Sequence, residues 1–193
     1  MRILWDRREL LLKIVYYGPP LAGKTTNLQQ LQRMIDPRYR SDLLSLDTQG
    51  DRTLFFDLIQ VNLGKVGGLT PRVSLYTVPG QPRYQRVRDL VLRGSDGIVF
   101  VADSHPARLH ENLALWREMH AQLQAQRMTD RPIVVQVNKQ DLPNALPAAR
   151  LYRMLNPDRP YPWIAAQARH GVGVQETFTR ILTLVLQPKE ATP

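Results

Sequence analysis

Apolar residues recur along this 193-residue chain in two rhythms, and the alternation of those rhythms predicts its fold. Leu10–Tyr17 reads Leu-Leu-Leu-Lys-Ile-Val-Tyr-Tyr, rich in strand formers and too short for a long helix. A Gly/Pro break follows, and then Leu28, Leu31 and Ile35 return at helical spacing until Pro37 stops the pattern. From Pro37 to Thr53 the chain is polar and turn-rich, which predicts a mobile loop. Thr53–Leu63 reads as a strand, Gly64–Gly68 as a hairpin turn, and Arg72–Val78 as the returning strand.

Pro79-Gly80-Gln81-Pro82 breaks the backbone before a basic helical segment, Arg83–Arg93, closed by Gly94. Gly97–Ala102 is a continuous apolar run, as a strand buried on both faces should be, and Ile133–Val137 reads as another buried strand. Between them Leu109, Leu113, Trp116 and Leu123 stripe one helix, and Pro147 suits the first turn of another. Trp163–Ala168 reads as a last strand, and Val174, Phe178, Ile181, Leu182 and Val185 stripe a terminal helix. Strands alternating with helices, with one hairpin near the front, predict an α/β fold: a mostly parallel six-stranded sheet with helices on both faces. The length suits one domain over residues 1–193, and ligands of such sheets bind at the carboxyl ends of the strands.

Composition narrows the picture. Without cysteine there is no disulfide, thiolate metal site, cysteine nucleophile or prenyl anchor, and Met1-Arg2 speaks against myristoylation. The run Leu10–Leu12 is too short for a signal peptide, and no stretch is long and apolar enough to span a bilayer. The expectation is a cytoplasmic protein with peripheral membrane contact at most. The formal net charge of +9 is scattered, with no block of like charges, so it predicts solvated faces and no specific nucleic-acid role.

Chemistry enters at Gly18–Thr26, Gly-Pro-Pro-Leu-Ala-Gly-Lys-Thr-Thr, which fits the phosphate-binding pattern Gly-x4-Gly-Lys-[Ser/Thr] between a strand and a helix. Gly18, Leu21, Ala22, Gly23, Lys24, Thr25 and Thr26 are the candidate phosphate contacts. The Lys24 ammonium suits the terminal phosphates, and the Thr25 hydroxyl suits Mg²⁺. The second motif, Asn138-Lys139-Gln140-Asp141, follows the strand Ile133–Val137. The Asp141 carboxylate can accept from the N1–H and exocyclic amine of guanine, Lys139 can lie along the base, and Asn138 can tie the two loops together. The pair of motifs selects GTP over ATP.

With both motifs in hand the chain resembles the Ras-like small GTPases over nearly its whole length. It is most similar to the MglA-type gliding and cell-polarity GTPases in the runs Lys-Ile-Val-Tyr-Tyr-Gly-Pro, Gly-Lys-Thr-Thr-Asn-Leu, Asp-Arg-Thr-Leu-Phe-Phe-Asp, Leu-Tyr-Thr-Val-Pro-Gly-Gln and Asn-Lys-Gln-Asp-Leu-Pro-Asn-Ala. The resemblance implies a P-loop G domain that hydrolyses GTP to GDP with Mg²⁺. Gly80 would offer its N–H to the γ-phosphate and Gln81 would orient the attacking water. Arg52 would act as an arginine finger in cis, Thr53 would complete the Mg²⁺ shell in the GTP state, and the Ala168 amide would meet guanine O6. It further implies a homodimeric roadblock-fold activator of the MglB type, a motility or polarity output through an effector of unknown identity, a pool at the cell pole, and a slide of the strand near Leu54–Leu63 between nucleotide states.

Two departures stand out. Thr77 replaces the aspartate of most small GTPases, as in the MglA branch, so a charge that supports Mg²⁺ through water is missing at that position. Pro20 replaces a glycine, has no N–H to give, and adds bulk over the γ-phosphate. The expectation is a secure binder that hydrolyses slowly without an activator. The alternatives are a GTP-binding scaffold with negligible hydrolysis and a phosphate-loop ATPase or kinase. Arg83, Arg86 and Arg88 read as a solvated basic helix face near the catalytic turn.

Overall fold

A computed structural model describes residues 1–46, 56–65, 67–155, 157 and 160–187. The strands are β1 (Arg2–Leu4), β2 (Glu9–Tyr17), β3 (Leu44–Leu46), β4 (Phe56–Asn62), β5 (Thr70–Thr77), β6 (Gly97–Asp103), β7 (Ile133–Asn138) and β8 (Trp163–Ala165). They form one sheet in the order β3-β4-β5-β2-β6-β7-β8, with β1 paired to β2. Pairings are parallel between β2 and β5, β2 and β6, β6 and β7, and β7 and β8. The remaining three are antiparallel, so the sheet is mostly parallel as predicted.

Among the described residues the sheet has eight strands where six were expected. Arg2–Leu4 folds back onto β2 at Leu11–Glu9 and fills the edge that β6 takes over from Ile14 onward. Leu44–Leu46 extends the far edge against β4, inside the segment expected to be loop throughout, and a short 3₁₀ turn at Pro37–Tyr39 precedes it. Both extra strands are three residues long, too short for a period-2 pattern to register. The last predicted strand stops at Ala165, and Ala168 opens a 3₁₀ turn that ends in Gly171.

The helices are α1 (Lys24–Met34), α2 (Gln85–Leu92), α3 (Leu109–Ala125), α4 (Ala148–Leu155) and α5 (Val174–Leu186). They cover both faces, because the central strands are apolar on both sides. On β2, Leu12, Ile14 and Tyr16 pack with Leu28 and Leu31 of α1 and Phe178 and Ile181 of α5. Val15 and Tyr17 point the other way, into a core with Leu92 of α2, Trp116 and Met119 of α3 and Leu151 of α4. The loops that carry the motifs leave the carboxyl ends of β2, β5, β6, β7 and β8 and meet at one end of the sheet.

Candidate functional site

The phosphate-loop segment joins β2 directly to α1. Gly23 has φ +103, and a Cβ there would lie 2.3 Å from Asn138 Nδ2, so conformation and crowding both require glycine. The Lys24 side chain is buried, and its Nζ donates to the carbonyls of Gly18 at 2.9 Å and Pro19 at 2.6 Å. Burial pushes its ammonium down to about 7, the Arg88 charge adding to the effect and Asp57 opposing it. This is a lysine held ready for an anion that would take over from two neutral carbonyls. Leu21 of the same loop is exposed, with φ +62.

Asp57, on β4, is a residue that motif reading missed. Its carboxylate accepts from Thr25 Oγ1 at 2.5 Å, from Ser45 Oγ on β3 at 2.7 Å and from Thr77 Oγ1 at 3.0 Å. Its own amide donates to Thr77 Oγ1 at 2.9 Å. A carboxylate absent at Thr77 itself thus stands beside its hydroxyl, carried by the neighbouring strand. No basic side chain among the described residues forms an ion pair with Asp57. A carboxylate ringed by hydroxyls beside Thr25, all hard oxygen donors, fits Mg²⁺, which ordinarily takes one or two protein ligands and completes its shell with phosphate and water. The signal in the sequence was the lone acidic position in the run Phe56-Asp57-Leu58-Ile59.

The turn that carries Gly80 and Gln81 follows β5. Gly80 is seated on the phosphate loop so closely that a Cβ would lie 2.1 Å from Pro20 N and 2.4 Å from Pro19 C. Gln81 is exposed, and a cavity of about 460 Å³ opens between the turn, Pro20, Lys24, Thr25 and Asp57. Arg83 and Arg86 are exposed as expected, whereas Arg88 is completely buried. The expectation of a solvated face fails at Arg88 because it shares the inner side of α2 with Val91 and Leu92. Arg52 and Thr53 lie outside the described residues.

On the base side, Asn138 ties the loops together as expected. Its Nδ2 donates to Ala22 O at 2.7 Å, and its Oδ1 accepts from the Ala168 amide at 2.8 Å. The Ala168 amide thus closes a link between the loops. Lys139 sits at φ +67, and its Nζ donates at 2.6 Å to Asp103, a buried carboxylate at the end of β6. Gln140 donates to Ser104 Oγ at 2.5 Å, and Asp141 lies 3.7 Å from His170 Nε2. Deeper still, Asn27 of α1 exchanges two 2.8 Å hydrogen bonds with Gln136 of β7, which donates to Thr177 of α5 at 2.9 Å. These polar groups are fully buried and satisfied, so they fix α1 relative to the base side.

The loops that carry the two motifs thus lie at one end of the sheet, and residues 2–185 match the ADP-ribosylation factor family model. The chain belongs to the ADP-ribosylation factor family. It is 44% identical over 186 residues to the mutual gliding-motility protein MglA of Myxococcus xanthus, with 95% of each chain covered. It is 30% identical over 188 residues to the human ADP-ribosylation factor-like protein 4D, covering 93% of this chain and 86% of that one. The human ADP-ribosylation factor-like protein 4C is 28% identical over 186 residues, with 93% and 90% covered. This member of the family is an MglA-type small GTPase with a Ras-like fold. Among its described residues no helix is long and apolar enough to cross a membrane.

Proposed function

We propose that residues 1–193 form a single G domain acting as a GTP-dependent switch, which hydrolyses GTP to GDP and phosphate. Gly18 and Leu21–Thr26 hold the phosphates, and Asn138, Lys139 and Asp141 select guanine, with Ala168 fixing the loop beneath the base. The observation that carries this reading is the convergence of Lys24, Thr25, Asp57, Gly80 and Gln81 around one cavity at the carboxyl ends of the strands. Thr25 with the Asp57 carboxylate behind it, and Thr53 in the GTP state, would hold Mg²⁺, whose charge would offset that of the phosphates. Gln81 orients water for in-line attack on the γ-phosphorus, the bond to the β,γ-bridging oxygen breaks, and orthophosphate leaves. Arg52 stabilises the charge that develops there. The Gly80 amide senses the γ-phosphate, and its loss releases the turn.

By its likeness to MglA, the switch serves motility or polarity, works with a homodimeric roadblock-fold activator, and divides between the cytoplasm and the cell pole. Single-turnover GTP hydrolysis, alone and with a roadblock homodimer, tests the reading. Slow intrinsic turnover that the homodimer accelerates is expected. Unchanged GTP after hours under both conditions would leave the second reading, a GTP-binding scaffold. Pro20 favours that alternative, because it has no N–H to give the phosphates and its ring lies close under Gly80.

A further inference from the structure

Arg88 is among the largest fully buried side chains of the described residues, and it does not sit in an apolar pocket. Its Nη1 donates to two carbonyls, Pro79 O at 3.1 Å and Gln81 O at 2.6 Å, which flank Gly80 in the catalytic turn. Its other edge forms a two-point ion pair with Glu118 of α3, Nε to Oε1 at 2.7 Å and Nη2 to Oε2 at 2.9 Å. Glu118 is itself built in. Tyr17, the residue before the phosphate loop, donates to its Oε1 at 2.8 Å, and Gln122 one turn further along α3 donates to the same oxygen at 3.1 Å.

Burying a guanidinium is costly unless every edge is paired, and here the pairing is spent on holding one turn. Above that turn Gly80 rests on Pro19 and Pro20, and below it Arg88 grips the carbonyls on either side. The turn is fixed from both directions. Only a planar fork can serve two carbonyls on one edge and a carboxylate on the other, so lysine is no substitute for Arg88.

We propose that Arg88, tied to Glu118, is the positioning residue of the catalytic turn: it sets where Gly80 and Gln81 stand over the phosphate loop, and governs the hydrolytic step without contributing to nucleotide binding. The inference rests on the hydrolytic reading above for its effect on turnover, and on geometry alone for its effect on the turn.

The test compares wild type with Arg88→Lys, which keeps the charge but not the fork, and Glu118→Gln, which keeps the shape but not the charge. Thermal melting checks that each is folded. Three readouts follow: single-turnover GTP hydrolysis at saturating GTP, affinity for a fluorescent GDP, and amide hydrogen exchange of residues 79–84 against residues 18–26. In Arg88→Lys, hydrolysis should fall roughly tenfold to a hundredfold, as for a catalytic group misplaced by about an ångström. GDP affinity should stay within about twofold, and exchange should quicken over 79–84 alone. Glu118→Gln should move the same readouts by less. Unchanged turnover and exchange in a folded Arg88→Lys would overturn the proposal. So would a uniform loss of turnover, GDP affinity and melting temperature, which would make Arg88 a general core residue. If wild type itself does not hydrolyse GTP, the switch reading fails separately. Exchange then decides for Arg88: loosening confined to 79–84 supports the clamp, and none refutes it.

Discussion

Lys24 offers a prediction that needs no substitution, because its environment has already displaced its proton affinity. With its ammonium buried against the carbonyls of Gly18 and Pro19, the group titrates at about 7 in the ligand-free protein. A bound diphosphate supplies the missing counter-charge and returns it toward the ordinary lysine range. Above pH 7 the free site must therefore take up a proton as it binds. Affinity for GDP should fall about tenfold per pH unit, or about 2 kcal/mol between pH 7 and pH 8.5. The same shift acts on folding. A cation whose pKa is lowered in the folded state leaves that state holding fewer protons than the unfolded chain above pH 7. The stability of the nucleotide-free protein should accordingly rise with pH from 7 toward the unfolded lysine value, and bound GDP should abolish that slope. Equilibrium binding of a fluorescent GDP at fixed ionic strength measures the first effect. Calorimetry in buffers of different ionisation enthalpy counts the proton, with about one expected near pH 8.5. A flat affinity across the window with no proton uptake would refute the reasoning from burial.

Three further outcomes follow from the same geometry. Asp57→Asn removes the charge of the carboxylate that accepts from Thr25, so GDP release should lose most of its slowing by Mg²⁺; an Mg²⁺ titration of release rates identical to wild type would count against Asp57. Asn138→Ala breaks two buried hydrogen bonds, to Ala22 and from Ala168, and should cost about 2 to 4 kcal/mol in chemical denaturation while also weakening GDP binding. Pro20→Gly removes the ring under Gly80 and restores an N–H, so intrinsic hydrolysis should rise at least severalfold with GDP affinity little changed; a rate equal to or below wild type would clear Pro20 of slowing the reaction.

The sheet, its helices and the two loops that define the site were legible because each rests on a local signal. The buried strand Gly97–Ala102 is a continuous apolar run, Ile133–Val137 is apolar but for Gln136, and the motifs are contiguous. What escaped was non-local. Asp57 matters through Thr25 and Thr77, which lie on other elements, and nothing in its own neighbourhood announces those partners. Arg88 reads as one more arginine on a basic helix, although its spacing with Val91 and Leu92 placed it on the inward side. Asp103 and Gln136 likewise end or interrupt apolar runs and gain meaning only from Lys139 and Asn27 across the sheet. The short edge strands Arg2–Leu4 and Leu44–Leu46 are set by their partners, not by a pattern of their own.

The identity of the bound base decides whether this protein is a guanine-nucleotide switch. Displacement of a fluorescent GDP by unlabelled nucleotides, in Mg²⁺ at neutral pH, measures it directly. If Asp141 and Lys139 read guanine and the Gly18–Thr26 loop holds the phosphates, GTP should displace at concentrations at least a hundredfold below those of ATP, on the order of the loss when a site built for specific hydrogen bonds meets a base that cannot make them. Equal potency of ATP and GTP, or no displacement by either, would contradict it.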